Sequence, residues 1–277
     1  MQGHNIRLLL TVCLLFVSGI LTAQESAQDS SKYGWKNEII GNLNLTQASF
    51  SNWEQGGENS FAWQVKLATK FTLEQENYDW SNTGKFVFGF AKVGDAEARK
   101  SADEINLESV YTRKLSKFLN PFLAVTAKSQ FVAGFEYFDD NTKNKISKFL
   151  DPGYFTQSFG LGYAPNSTFK TRLGAMVKET VTDIFPEESK VEGGISSVTD
   201  FNANFEENVL FTSKLNLFSN LKAFNRIDVL WENNLILKVT KYINVQVNVD
   251  ILYDRDISSR RQVKQVLAVG FTYAFLE

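Results

Sequence analysis

Phe61-Ala62-Trp63-Gln64-Val65-Lys66-Leu67-Ala68-Thr69-Lys70-Phe71 decides the fold. Its odd positions carry aromatic and aliphatic side chains, with one threonine. Its even positions carry an amide, two ammonium groups and alanines. Successive side chains of a strand point to opposite faces, so a period of two gives one apolar face and one polar face. The same alternation recurs along the rest of the chain. It predicts about twelve strands: Trp35 to Gln47, Ser60 to Thr72, Asn82 to Lys92, Ala102 to Arg113, Asn120 to Tyr137, Tyr154 to Ala164, Ser167 to Val181, Gly194 to Asn204, Val209 to Phe218, Arg226 to Val239, Tyr242 to Tyr253 and Gln262 to Phe275.

The links between these segments alternate in character. Ala48 to Asn59, Val93 to Ser101, Asp139 to Pro152, Thr182 to Gly193, Ser219 to Asn225 and Asp254 to Arg261 are longer and mostly polar. Pro165-Asn166, Glu206 to Asn208 and Thr240-Lys241 are tight. Leu73 to Ser81 and Lys114 to Leu119 fall on the tight side of the alternation, yet read as longer links. Outer-membrane barrels combine long outer loops with short periplasmic turns. Aromatics mark the ends of the apolar faces at Phe61, Phe71, Phe155, Tyr163, Phe169, Tyr253, Tyr273 and Phe275, as expected where lipid meets headgroup. The prediction is an all-β chain: a transmembrane antiparallel up-and-down β-barrel of about twelve strands, with both termini in the periplasm. A soluble β-sandwich also alternates. Strand length, the placement of aromatics and an export signal favour the barrel.

That signal is the N-terminus. Arg7 supplies positive charge, Leu8 to Leu21 is apolar, and Leu21-Thr22-Ala23 offers a small-residue cleavage site. The expected organisation is a signal peptide over 1–23, a flexible periplasmic leader over 24–34 and the barrel over 35–277. Cleavage near Ala23 removes Cys13 and His4, the only cysteine and the only histidine among 277 residues. The remaining chain then has no disulfide, no Ser-His or Cys nucleophile device and no histidine-ligated zinc. No cofactor and no metal are expected.

The bulk numbers fit this reading. A net charge of −2 gives no basic footprint for nucleic acid. A mean hydropathy of −0.20 argues against a bundle of transmembrane helices. It is compatible with a barrel, whose lumen-facing residues offset the lipid-facing ones.

Gly41-Asn42-Leu43-Asn44-Leu45-Thr46-Gln47, Asn52-Trp53-Glu54-Gln55-Gly56-Gly57-Glu58-Asn59, and Trp231-Glu232-Asn233 with Lys238-Val239-Thr240-Lys241-Tyr242 carry a resemblance. The chain resembles a family of outer-membrane β-barrels of unknown function, common in Bacteroidota. The resemblance implies a barrel in an outer membrane and names no substrate.

Candidate functional residues lie on the inward face. Parity places lysines, arginine, carboxylates and many amides there, with cations in slight excess. Charges of both signs on one face need partners or water. Depth along the strands suggests a mid-height belt of Lys66, Glu108, Lys128, Lys214 and Glu232. Pairing across the lumen would close it and leave a structural or interaction component of the envelope. Unpaired, the belt would line a narrow pore with mild anion preference. A conduit for apolar ligands fits poorly with so polar a face. A lipid-acting enzyme is the remote alternative: Glu104 and Glu108 stand ~13 Å apart along one strand face, too far for a glycosidase pair.

In the outer loop, Trp53, Gly56 and Gly57 are candidates for contact, since two glycines permit a tight or inward fold. Asp139-Asp140-Asn141 and Asp254-Arg255-Asp256 read as solvated loop charge without a full calcium ligand set. Expected partners are outer-membrane lipid, the assembly machinery during biogenesis and envelope proteins, with no nucleic acid.

Overall fold

The computed structural model describes residues 33–49, 58–138, 142–224, 227–254 and 260–276. The expected signal peptide over 1–23, most of the leader, Trp53, Gly56 and Gly57, Asp139-Asp140-Asn141, and Arg255 and Asp256 lie outside them.

Twelve strands close on themselves in the order β1-β14-β13-β12-β11-β10-β9-β8-β5-β4-β3-β2. They are β1 (Gly34–Ala48), β2 (Ser60–Glu74), β3 (Tyr78–Val93), β4 (Arg99–Arg113), β5 (Leu119–Ser129), β8 (Gly153–Tyr163), β9 (Phe169–Val181), β10 (Lys190–Glu206), β11 (Val209–Asn220), β12 (Ile227–Lys238), β13 (Ile243–Tyr253) and β14 (Gln262–Leu276). Every neighbouring pair is antiparallel, from β1 with β2 round to β1 with β14. β6 (Gly134–Tyr137) and β7 (Lys143–Ser147) form a separate hairpin.

The molecule is apolar outside and polar inside. Among the described residues no large side chain is fully buried, while Phe159 is 64% exposed and Leu267 72% exposed. On β2 the outward residues are Phe61, Trp63, Val65, Leu67 and Phe71, and Gln64 and Lys66 face inward, as the alternation predicts. β-branched and aromatic side chains suit this pleated surface. A belt of exposed apolar residues running round a closed sheet is unfavourable in water and suits hydrocarbon.

The links keep the predicted alternation and sharpen it. At one end the strands are joined by residues 75–77, 114–118, 164–168, 207–208 and 239–242. Leu73 to Ser81, read as a longer link, is mostly strand: Leu73 pairs with Trp80 and Glu74 with Asp79. Trp80 therefore belongs to the wall. Its ring lies 6.1 Å from that of Trp35, and its Nε1 donates to Ser109 Oγ at 2.9 Å. Tyr78 stacks on Tyr111 beside them at 5.4 Å. This aromatic cluster marks the short-turn end of the apolar belt.

Two further readings are corrected. The strand read from Asn120 to Tyr137 breaks at Ser129, and its second half becomes β6 of the separate hairpin. The segment read as Gly194 to Asn204 extends over Lys190–Glu206, the longest strand at 17 residues. Its glycines and serines hide the alternation, and pairing with β9 and β11 supplies what its own side chains do not announce.

At the long-link end Asp151 ties two connections together. Its Oδ1 accepts the Thr182 hydroxyl at 2.6 Å and the N–H of Asp183 at 3.2 Å, while Oδ2 lies 3.2 Å from Lys148 Nζ. Burial pushes this carboxyl up. The hydrogen bonds from Thr182, Lys148 and the backbone of Ile184 and Asp183 outweigh that effect and hold it below its ordinary value.

Candidate lumen site

The inward side chains are arranged as ion pairs that cross the barrel. Lys85 on β3 places Nζ 2.9 Å from Glu232 Oε1 on β12 and 3.0 Å from Glu104 Oε2 on β4. The shorter way round the ring from β3 to β12 passes β2, β1, β14 and β13. The Lys85–Glu232 contact is therefore made through the lumen. Glu108 on β4 accepts Arg172 Nη2 of β9 at 2.5 Å on one oxygen and Lys214 Nζ of β11 at 2.7 Å on the other. From β4 to β11 the shorter way passes β5, β8, β9 and β10. Lys178 on β9 reaches Asp228 on β12 at 2.8 Å and Asp254 at 3.1 Å.

Long side chains on facing walls are what make these contacts possible. A Lys or Arg stem spans much of a small barrel's radius, and the carboxylate opposite covers the rest. The Arg172 and Glu108 side chains are only 14% and 15% exposed, so each carboxylate and its cations depend on one another for solvation.

A second polar layer lines the seam where the first and last strands meet. Thr272 of β14 donates to Asn42 Oδ1 of β1 at 2.6 Å. Gln246 of β13 donates to the same oxygen at 3.1 Å and to Asn244 Oδ1 at 2.8 Å, and Asn244 donates to Thr272. Direct backbone pairing of β1 with β14 covers only Ile39 to Asn44. The amide network therefore supplements a short ladder from within.

Glu108, Lys214 and Glu232 of the predicted belt come together in the ion-pair layer. Lys66 and Lys128 are not part of it: neither has an ion-pair partner among the described residues. Lys66 lines a chamber of about 330 Å³ together with Gln64, Asn234, Asn248, Asp250 and Lys264. Lys85, Glu104 and Arg172 are the partners that depth along the strands passed over. Parity had put all three on the inward face. Choosing among them needs the strand tilt, which sets residues at different counts along their own strands level with one another.

Residues 45–135 match a family model described as "Protein of unknown function (DUF3078)". The matched span contains the Asn52–Asn59 segment on which the resemblance was read, and Gly41 to Asn44 and Trp231 to Tyr242 lie outside it. No curated protein matches the chain. Among solved structures it is similar to the translocator domain of the autotransporter NalP from Neisseria meningitidis, at 11% identity and a TM-score of 0.39, covering 96% of this chain and 94% of that one. An outer membrane channel from Pseudomonas putida F1 is similar at 10% identity and a TM-score of 0.42, covering 91% and 98%. The toluene transporter TodX of Pseudomonas putida is similar at 9% identity and a TM-score of 0.33, covering 90% of each chain.

Proposed function

We propose that this chain is a non-enzymatic outer-membrane barrel whose lumen is closed by its own side chains, serving as a structural or interaction component of the envelope. One observation carries the reading: Lys85–Glu232 and Lys214–Glu108 meet across the barrel. The apolar exterior supports insertion, and the longer links supply the surface for partners. The short turns and both termini of the chain then face the periplasm, after cleavage near Ala23. Outer-membrane lipid surrounds the wall, and the assembly machinery receives the last strand, Gln262–Leu276.

A narrow channel with mild anion preference is the second reading. The chamber of about 330 Å³ and Lys66, which has no ion-pair partner among the described residues, favour it, because the lumen is not filled throughout. Planar-bilayer recording of the refolded mature protein separates the two. The closed barrel predicts inserted protein without steady conductance, and conductance in a Glu108→Ala, Glu232→Ala double variant. Steady wild-type conductance with an anionic reversal potential, reduced by Lys66→Glu, would overturn the closed barrel.

A further inference from the structure

The lumen chamber carries charge that the ion pairs do not use. Of its four lysines, Lys85 is held between Glu104 and Glu232, and Lys214 is turned to Glu108. Lys66 and Lys264 line the same space with no carboxylate at ion-pair distance among the described residues. Asp200 and Asp250 line it with no ammonium at that distance. The register shows why. Lys66 lies opposite Asn42 on β1 and Val87 on β3, neither of them acidic. Asp250 lies between Lys264 and Glu232, and the Glu232 carboxylate is held by Lys85. Asp200 lies opposite Lys214, whose ammonium is held by Glu108.

Lys66, Asp200 and Asp250 are half-buried, so charges of both signs stand in a confined space without partners. That costs solvation unless something in the chamber answers them. The lining is neutral in sum, four ammonium groups against four carboxylates. A solute with net charge therefore gains nothing from the wall as a whole, whereas one that carries a carboxylate and an ammonium meets both sets. Amides surround these groups, among them Gln64, Asn234 and Asn248, and the buried Asn234 Oδ1 has no hydrogen-bond partner among the described residues. A volume of about 330 Å³ equals about ten waters at ~30 Å³ each, which is room for a solute of similar heavy-atom count.

We propose that the chamber binds a small zwitterion, an amino acid or dipeptide, with its carboxylate on Lys66 and its ammonium on Asp250. Lys264 and Asp200 reinforce the two poles, and the amides take the peptide group. Hydrogen bonds to ionised groups are the strong ones, so the poles set the selectivity. This goes beyond the closed-barrel reading: a lumen that does not conduct still holds a solute.

Isothermal titration calorimetry of the detergent-solubilised full chain tests it, in sodium chloride buffer so that simple ions compete. The probes are glycylglycine, N-acetylglycine, glycinamide and glucose. The first carries both charges, the second only the carboxylate, the third only the ammonium and the fourth neither. Glycylglycine should bind saturably and about tenfold tighter than any of the others. Lys66→Gln should weaken glycylglycine about tenfold and leave glycinamide unchanged. Asp250→Asn should weaken it as much and leave N-acetylglycine unchanged. Lys241→Gln, on a short turn, should change nothing. Gel mobility reports whether each variant folds. If Lys66→Gln or Asp250→Asn does not, Lys264→Gln carries the test and should weaken glycylglycine. No saturable heat with glycylglycine, equal affinity for glucose or a singly charged probe, or undiminished affinity in the variants overturns the proposal. Conductance is read separately, so loss of the closed barrel and loss of the binding site are told apart.

Discussion

Glu108 holds two cations at once, so its removal is felt twice. Glu108→Gln removes from Arg172 and Lys214 the one carboxylate at ion-pair distance among the described residues, and breaking a buried pair costs about 3–5 kcal/mol. The expected result is a lower unfolding midpoint in urea, measured in lipid. Lys66→Gln breaks no ion pair, and its midpoint should stay near that of wild type. Asp151 gives a pH-dependent contrast at the loop end. Its carboxyl titrates below the ordinary value in the folded state, so its contribution is fully present above the unfolded pKa of about 4. It is lost as pH falls through the depressed folded value. Asp151→Asn should admit an acid-active protease to the links around Asp151 and Thr182 at pH 5, where wild type resists. The two should converge as the pH falls through the depressed folded value.

At the scale of elements the close approaches are fixed by glycine. Gly160 and Gly174 face each other across β8 and β9. A Cβ on Gly174 would lie 2.2 Å from the Phe159 carbonyl oxygen, and one on Gly160 would lie 2.1 Å from that of Leu173. These are backbone atoms and cannot swing aside. Gly174→Val should force the two strands apart and lower the temperature at which the barrel loses its heat-modifiable gel mobility. The β1–β14 seam is the other critical contact. Its backbone ladder spans only Ile39 to Asn44, so the Asn42–Thr272–Asn244–Gln246 network bears on closure directly. Asn42→Ala leaves the Thr272 O–H and one Gln246 N–H without their acceptor, at a cost of about 1–3 kcal/mol. Unfolding rates of this variant against Asn106→Ala, on β4 and away from the seam, check the point.

For the whole molecule the balance is that of a protein turned inside out. The apolar belt contributes stability only in hydrocarbon, and the lumen is ordered by charge pairing and amide hydrogen bonds. In a low-dielectric surround these pairs are screened less by salt than pairs on a soluble surface. Raising salt from 0.1 to 1 M should therefore change the unfolding midpoint of wild type little. It should change that of the Glu108→Ala, Glu232→Ala variant more, since Arg172 and Lys214 then lose their ion-pair carboxylate and Lys85 keeps only Glu104.

By itself the sequence determined the class of fold. A period of two, repeated over segments such as Phe61–Phe71 and Ile243–Ile251, is a local property set by strand geometry. It assigns each residue to lipid or lumen without knowledge of any partner. The number of barrel strands and the alternation of long and short links followed from the same local signals. The tertiary structure decided which inward residues meet. Strand tilt and register bring Lys85 level with Glu232 and Glu108 level with Arg172, and those offsets depend on hydrogen bonding round the whole ring. It also decided that the run after Ser129 leaves the wall. Its alternation continues through Phe131, but Asp103, whose carboxylate accepts the backbone N–H groups of Phe131 and Val132, lies on a different strand.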